Sequence, residues 1–107
     1  MTSFGDFIKN EREKRNWTQT DFGARLGINS AAISRIENNR KQLSPSKLQL
    51  LADLFELDLS EIKEGYYADK FAREAYSNNC PENVFMVAER TIKYLKEKDL
   101  KQSEIEF

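Results

Sequence analysis

Apolar residues recur along this chain at spacings of three and four, and most breaks in the pattern fall where glycine, asparagine or proline interrupts it. Phe4, Phe7 and Ile8 form a first helical stripe, which Ser3 can cap and which ends near Arg15-Asn16. Trp17 then turns inward as core. Thr18 can cap a second helix, and Asp21 three residues on makes an approximate capping box. Phe22 and Leu26 carry that stripe to Gly27, where a glycine can take positive φ without a Cβ clash. The stripe resumes with Ile28, Ile33 and Ile36 after Asn29-Ser30, two residues whose side chains can cap a third helix ending at Asn38-Asn39. Gly23 sits mid-helix although it costs about 1 kcal/mol relative to Ala, which suits a second helix crossing close by. Two short helices crossing sharply over a small residue make a helix-turn-helix.

The rest also reads as helix, with no strand-like alternation of any length. Ser44-Pro45 starts a fourth helix, with Pro at its favoured first-turn position and Leu48, Leu51, Ala52 and Phe55 as its buried stripe. Leu57 and Leu59 lead into a fifth helix capped by Ser60, with Ile62 facing the core. Beyond Gly65 the spacing continues through Tyr66, Tyr67, Phe71, Ala72, Ala75 and Tyr76, then breaks at Asn78-Asn79-Cys80-Pro81. A last helix is expected from about Pro81 to Lys98, with Val84, Phe85, Ala88, Ile92 and Leu95 on one face, followed by a frayed polar tail, KQSEIEF. Two amphipathic helices are not stable alone, so the faces of residues 66–98 must be covered by the same chain or by another.

Composition narrows the chemistry. At 107 residues the chain has the size of one small domain with an appendage. It has no histidine, so histidine-based nucleophilic machinery is excluded, and its one cysteine, Cys80, excludes an intramolecular disulfide or a cysteine-based zinc site. The carboxylates are scattered, and no enzyme, metal site or cofactor is expected. There is neither an apolar run of membrane-spanning length nor a signal-like start, so a cytoplasmic protein without membrane association is expected. The net charge of −1 hides a split: residues 1–50 hold nine Lys/Arg against five Asp/Glu, and residues 51–107 hold eight against thirteen. A basic half joined to an acidic half suits a protein that meets phosphate with one end.

Thr18-Gln19, Gly23, Gly27-Ile28, Ile33-Ser34 and Glu37 stand at ungapped spacings that resemble the Xre/Cro-type family of bacterial and phage regulators. The resemblance covers roughly residues 4–64. Gly23 stands where that family usually has Ala, and Asn39 where a Gly usually ends the third helix; Asn is the next-best residue for a left-handed cap. The resemblance implies an all-α fold with a five-helix lambda-repressor-like DNA-binding domain over 1–65, to which the continuing apolar spacing adds a two-helix carboxy-terminal extension over 66–107 for dimerisation or partner binding.

It also implies roles on double-stranded DNA. Thr18 and Gln19 open the second helix, where backbone amides and the Gln19 side chain can grip a phosphate. The third helix would present Asn29, Ser30, Ala31, Ser34 and Arg35 to the major groove, and Arg35 could make a bidentate pair with guanine or clamp a phosphate. Asn39, Arg40 and Lys41 form a basic turn placed to meet the backbone, with Lys47 a weaker candidate. Arg12 and Glu37 match positions that form a buried structural ion pair in the family. Tyr66, Tyr67, Phe71, Phe85, Ile92 and Leu95 are the expected dimer or partner contacts. The function implied is a sequence-specific transcriptional regulator, a homodimer on an inverted-repeat operator. Its size also suits a controller of a restriction–modification operon. The alternative is an antitoxin whose residues 66–107 cover a toxin or other protein partner, the acidic balance there suiting a basic surface.

Overall fold

A computed structural model of the chain describes the backbone of residues 3–105 and the side-chain surroundings of residues 3–100. Its elements, in order, are α1 (Phe4–Lys14), α2 (Gln19–Leu26), α3 (Ser30–Glu37), a 3₁₀ turn (Pro45–Lys47), α4 (Leu48–Phe55), α5 (Leu59–Ser77) and α6 (Val84–Ile105). Among the described residues there is no strand. No described helix is long and apolar enough to cross a membrane.

Local chemistry sets most boundaries. The Ser3 hydroxyl accepts from the Asp6 amide and starts α1. At α2 the capping box closes both ways, Asp21 N–H to Thr18 Oγ1 and Thr18 N–H to Asp21 Oδ2, each 3.0 Å. Gly27 ends α2 in the left-handed region at φ 78°. Asn29 Oδ1 accepts from Ala32 N–H at 2.8 Å and opens α3. Pro45 begins a 3₁₀ turn and not the first turn of α4 itself, which starts at Leu48.

Four expected boundaries move. The helices expected on either side of Gly65 are one element, α5, because Ile62 and Tyr66 bury themselves one turn apart and hold the glycine in helical register. Its first turn begins at Leu59, where the Asp58 carbonyl accepts from the Glu61 and Ile62 amides, so Ser60 lies inside the helix and not at its cap. α6 begins at Val84, since its first helical bond runs from Val87 N–H to the Asn83 carbonyl, leaving Pro81 in the preceding turn. It continues to Ile105, through most of the tail expected to fray; Glu106 and Phe107 lie outside the described residues.

The chain divides into two compact units, Met1–Phe71 and Ala72–Phe107. The first has a continuous core of Phe4, Ile8, Phe22, Leu26, Ile33, Ile36, Leu43, Leu48, Leu51, Ala52, Phe55, Ile62 and Tyr66. Phe22 stacks on Phe55 at 5.6 Å between centroids, and Phe7 meets Phe55 edge-on at 6.0 Å. In the second unit α6 has no buried residue among those described, and Phe85, Met86, Val87, Ile92, Tyr94, Leu95 and Leu100 are all exposed.

Candidate nucleic-acid interface

The turn between α2 and α3 is built on glycine. A Cβ on Gly23 would lie 2.4 Å from the Ile28 carbonyl oxygen, and the Ile28 amide donates back to the Gly23 carbonyl at 2.9 Å. The backbone leaving α2 therefore folds directly onto the helix, and only three residues separate Leu26 from the start of α3. Ala32, Ile33, Ile36 and Glu37 point inward from α3, and Ser30, Ala31 and Arg35 are exposed with Ser34 half-buried. The exposed row is short-chained apart from Arg35, so a duplex could approach α3 closely.

A buried ion pair fixes α3 against α1. Arg12 Nε donates to Glu37 Oε2 at 2.6 Å and Nη2 donates to Oε1 at 3.0 Å, with the Glu37 side chain only 2% exposed. Arg12 Nη1 donates to the Trp17 carbonyl at 2.9 Å, and Gln19 Nε2 donates to Glu37 Oε1 at 3.1 Å. The hydrogen bonds to Glu37 outweigh burial and raise the Arg12 pKa further. No described buried side-chain polar atom lacks a partner. Removing either charge would strand the other, at about 3–5 kcal/mol.

The expected DNA-facing residues thus fall into two groups. Thr18, Gln19, Asn29 and Asn39 each spend side-chain hydrogen bonds inside the protein. Thr18 and Asn29 cap helices, and Gln19 holds Glu37. Asn39, left-handed at φ 60°, accepts from the Gly5 amide through Oδ1 and donates to Ser3 Oγ through Nδ2. Ser30, Ala31, Ser34, Arg35, Arg40 and Lys41 form the open remainder, the last two in a turn closed by Arg40 N–H to the Arg35 carbonyl at 2.8 Å. Lys47 Nζ lies 3.1 Å from where a Gly27 Cβ would stand, at the carboxyl end of α2.

Trp17 is half-buried, stacked on Phe22 at 6.0 Å and 14°, with the Arg25 guanidinium 4.5 Å from its ring centre. Arg15 reaches across to the Phe55 carbonyl at 2.7 Å and lies 4.8 Å from the Phe55 ring centre.

Of the residues expected at a partner, Tyr66 is in the first unit's own core. It is 4% exposed, its hydroxyl donates to the Leu43 carbonyl at 2.6 Å, and its ring meets Phe4 edge-on. The spacing that suggested a free stripe is the continuation of Ile62, one turn earlier on the same buried face. Tyr67 is half-buried against that core and Phe71 is 51% exposed. Phe85, Ile92 and Leu95 are each about half exposed on α6. The sequence held no signal for the role of Gly5, whose missing side chain leaves room for the Ile36 and Glu37 carbonyls and Asn39 Oδ1.

The Helix-turn-helix family model matches residues 8–62, from the middle of α1 to the start of α5. The chain is 27% identical over 114 residues to the HTH-type transcriptional repressor RghR of Bacillus subtilis strain 168, covering 94% of this chain and 84% of that protein. It is 36% identical over 59 residues to the ImmF control region 10 kDa protein of Bacillus phage phi105, covering 55% of this chain and 66% of that one. In fold it is similar to the P22 c2 repressor protein in complex with synthetic operator 9T, at a TM-score of 0.53 and 21% identity over 58% of this chain and 94% of that one. A chain of the SinR–SinI protein complex matches at a TM-score of 0.51 and 17% identity over 88% of this chain and 98% of that one.

Proposed function

The chain belongs to the Xre/Cro-type helix-turn-helix family, and from that premise we propose that it is a sequence-specific DNA-binding transcriptional repressor acting as a homodimer on an inverted-repeat operator. The observation that carries the reading is the outer face of α3. Ser30, Ala31 and Arg35 are exposed there and Ser34 half-buried, on a helix locked to α1 by Arg12–Glu37, with Arg40 and Lys41 in the turn that follows. None of the exposed residues of that row is required by the core. The similarity to RghR extends over nearly the whole chain and supports repression as the outcome of binding.

Reach and charge support homodimerisation. One recognition helix reads three or four base pairs, and pairing doubles the site. The acidic surplus of the second half lies in residues 51–65, which hold one basic residue against five acidic, whereas residues 66–107 hold seven against eight. An almost neutral segment with an apolar helical face suits a second copy of itself better than a strongly basic toxin surface. That balance ranks the antitoxin reading below the homodimer.

The test is selection of duplexes from a random pool by the full-length protein, followed by titration of the selected site. An inverted repeat bound at two chains per duplex is expected. Arg35→Ala should weaken the selected site by about 1–3 kcal/mol and random DNA by less. Equal losses on both would reduce Arg35 to a phosphate contact, and a pool without enrichment would overturn the function.

A further inference from the structure

The first turn of α1 is capped from three parts of the chain at once. The Phe4 amide donates to Asp69 Oδ1 on α5 at 3.4 Å, the Gly5 amide to Asn39 Oδ1 at 3.3 Å, and the Asp6 amide to Ser3 Oγ at 3.0 Å. A helix start leaves its leading amides without intrahelical partners, and a cap residue alone satisfies one or two of them. Here Asn39 supplies another acceptor from 34 residues away, and its Nδ2 donates at 3.2 Å to the Ser3 hydroxyl that does the capping.

The same residue steers the chain out of α3. Asn39 is left-handed at φ 60°, and its amide donates to the Ile36 carbonyl at 3.1 Å. Arg40 and Lys41 follow it directly. Gly5 removes any slack, since a Cβ there would stand 2.6 Å from both Asn39 Oδ1 and the Glu37 carbonyl and 2.7 Å from the Ile36 carbonyl. The direction in which the basic turn leaves α3 is therefore held by α1.

We propose that Asn39 is a positioning residue: it aims Arg40 and Lys41 at phosphate through its two hydrogen bonds to the first turn of α1 and makes no contact with DNA itself. The inference rests on the DNA-binding reading above. A turn ordered before binding spares the complex the entropy of ordering it, so loosening Asn39 weakens the phosphate contacts without removing either cation.

Asn39→Gly tests this, because glycine keeps the left-handed backbone and deletes both side-chain hydrogen bonds. In the full-length protein without DNA, the Gly5 amide should exchange with solvent faster in the variant. On the selected operator the variant should bind about three- to tenfold more weakly and flatten the slope of log affinity against log salt by about one to two units. The decisive measurement is a double-mutant cycle. With Arg40→Ala and Lys41→Ala already in place, Asn39→Gly should change affinity by less than about twofold. A loss that adds in full to theirs would show Asn39 meeting DNA on its own account and overturn the proposal. So would a single variant with unchanged affinity and slope. Absence of any DNA binding by the unmodified protein would instead remove the functional reading and this inference with it, a result distinct from additivity.

Discussion

At the scale of single residues, the fold rests on a few polar groups placed where burial makes them matter. Tyr66 shows how such a group can be tested. Burial, then the neighbouring Tyr67, raises its pKa above the ordinary value of 10.0, so the folded protein favours the neutral phenol that donates to Leu43. A raised folded-state pKa contributes stability that is present in full below pH 10.0 and is lost as pH rises through the shifted value. Tyr66→Phe should cost about 1–3 kcal/mol at neutral pH by leaving the Leu43 carbonyl without its donor. The gap between variant and parent, from urea unfolding at neutral and strongly alkaline pH, should narrow on the alkaline side. A gap independent of pH would mean that the phenol ionises as freely in the fold as outside it. Glu11 works in the acid range: burial opposes its ionisation, but hydrogen bonds from Arg15 and Lys14 prevail and lower its pKa.

At the scale of elements, what the sequence reveals depends on how far apart the interacting groups lie. Thr18 with Asp21, Asn29 with Ala32, and the left-handed Gly27 are contacts within three or four residues, so local chemistry alone places α2 and α3. The ties that assemble the helices span far more chain. Arg15 to the Phe55 carbonyl crosses 40 residues, Tyr66 to Leu43 crosses 23, and Phe4 to Asp69 crosses 65. Nothing in the spacing of these residues announces a partner, which is why Tyr66 reads from sequence alone as a dimer or partner contact, and why the ties of Asn39 to Gly5 and Ser3 go unread. Glu56 is a further case: it ends α4 in the left-handed region at φ 55°, where a glutamate is strained and an asparagine or glycine is not. Glu56→Gly should raise stability by about 0.5–1 kcal/mol after the added freedom of the unfolded chain is counted. A higher midpoint in thermal or urea unfolding is the expected result, and a lower one would assign the exposed Glu56 side chain an interaction of its own.

At the scale of the whole molecule, the two units differ in what they bury. The first encloses thirteen buried hydrophobic residues in one cluster, whereas α6 buries none of its described large apolar side chains. Each large apolar side chain taken from water contributes about 1.5–3 kcal/mol, so a few pairs of such contacts suffice to hold two chains together at low concentration. Truncation after Asn79 removes α6 and leaves the first unit's core intact. Sedimentation should find the shortened protein monomeric, and its affinity for the full operator should collapse while weak half-site binding persists. A truncated protein that stays dimeric with unchanged operator affinity would assign the dimer contact to other surfaces.

The only tryptophan of the chain is Trp17, stacked on Phe22 beneath Arg25, and residues 72–107 contain none. The protein therefore carries an optical label confined to one of its two units. Tryptophan emission follows the loss of the first unit's packing, whereas far-ultraviolet circular dichroism counts helix in both. At protein concentrations too low for association, the dichroism should begin to fall at lower denaturant than the emission changes, because none of the described side chains of α6 is buried. With self-association through α6, a higher concentration should move the early part of the dichroism signal toward the emission transition, which itself should shift little. Two superimposable curves at every concentration would mean that the units unfold as one.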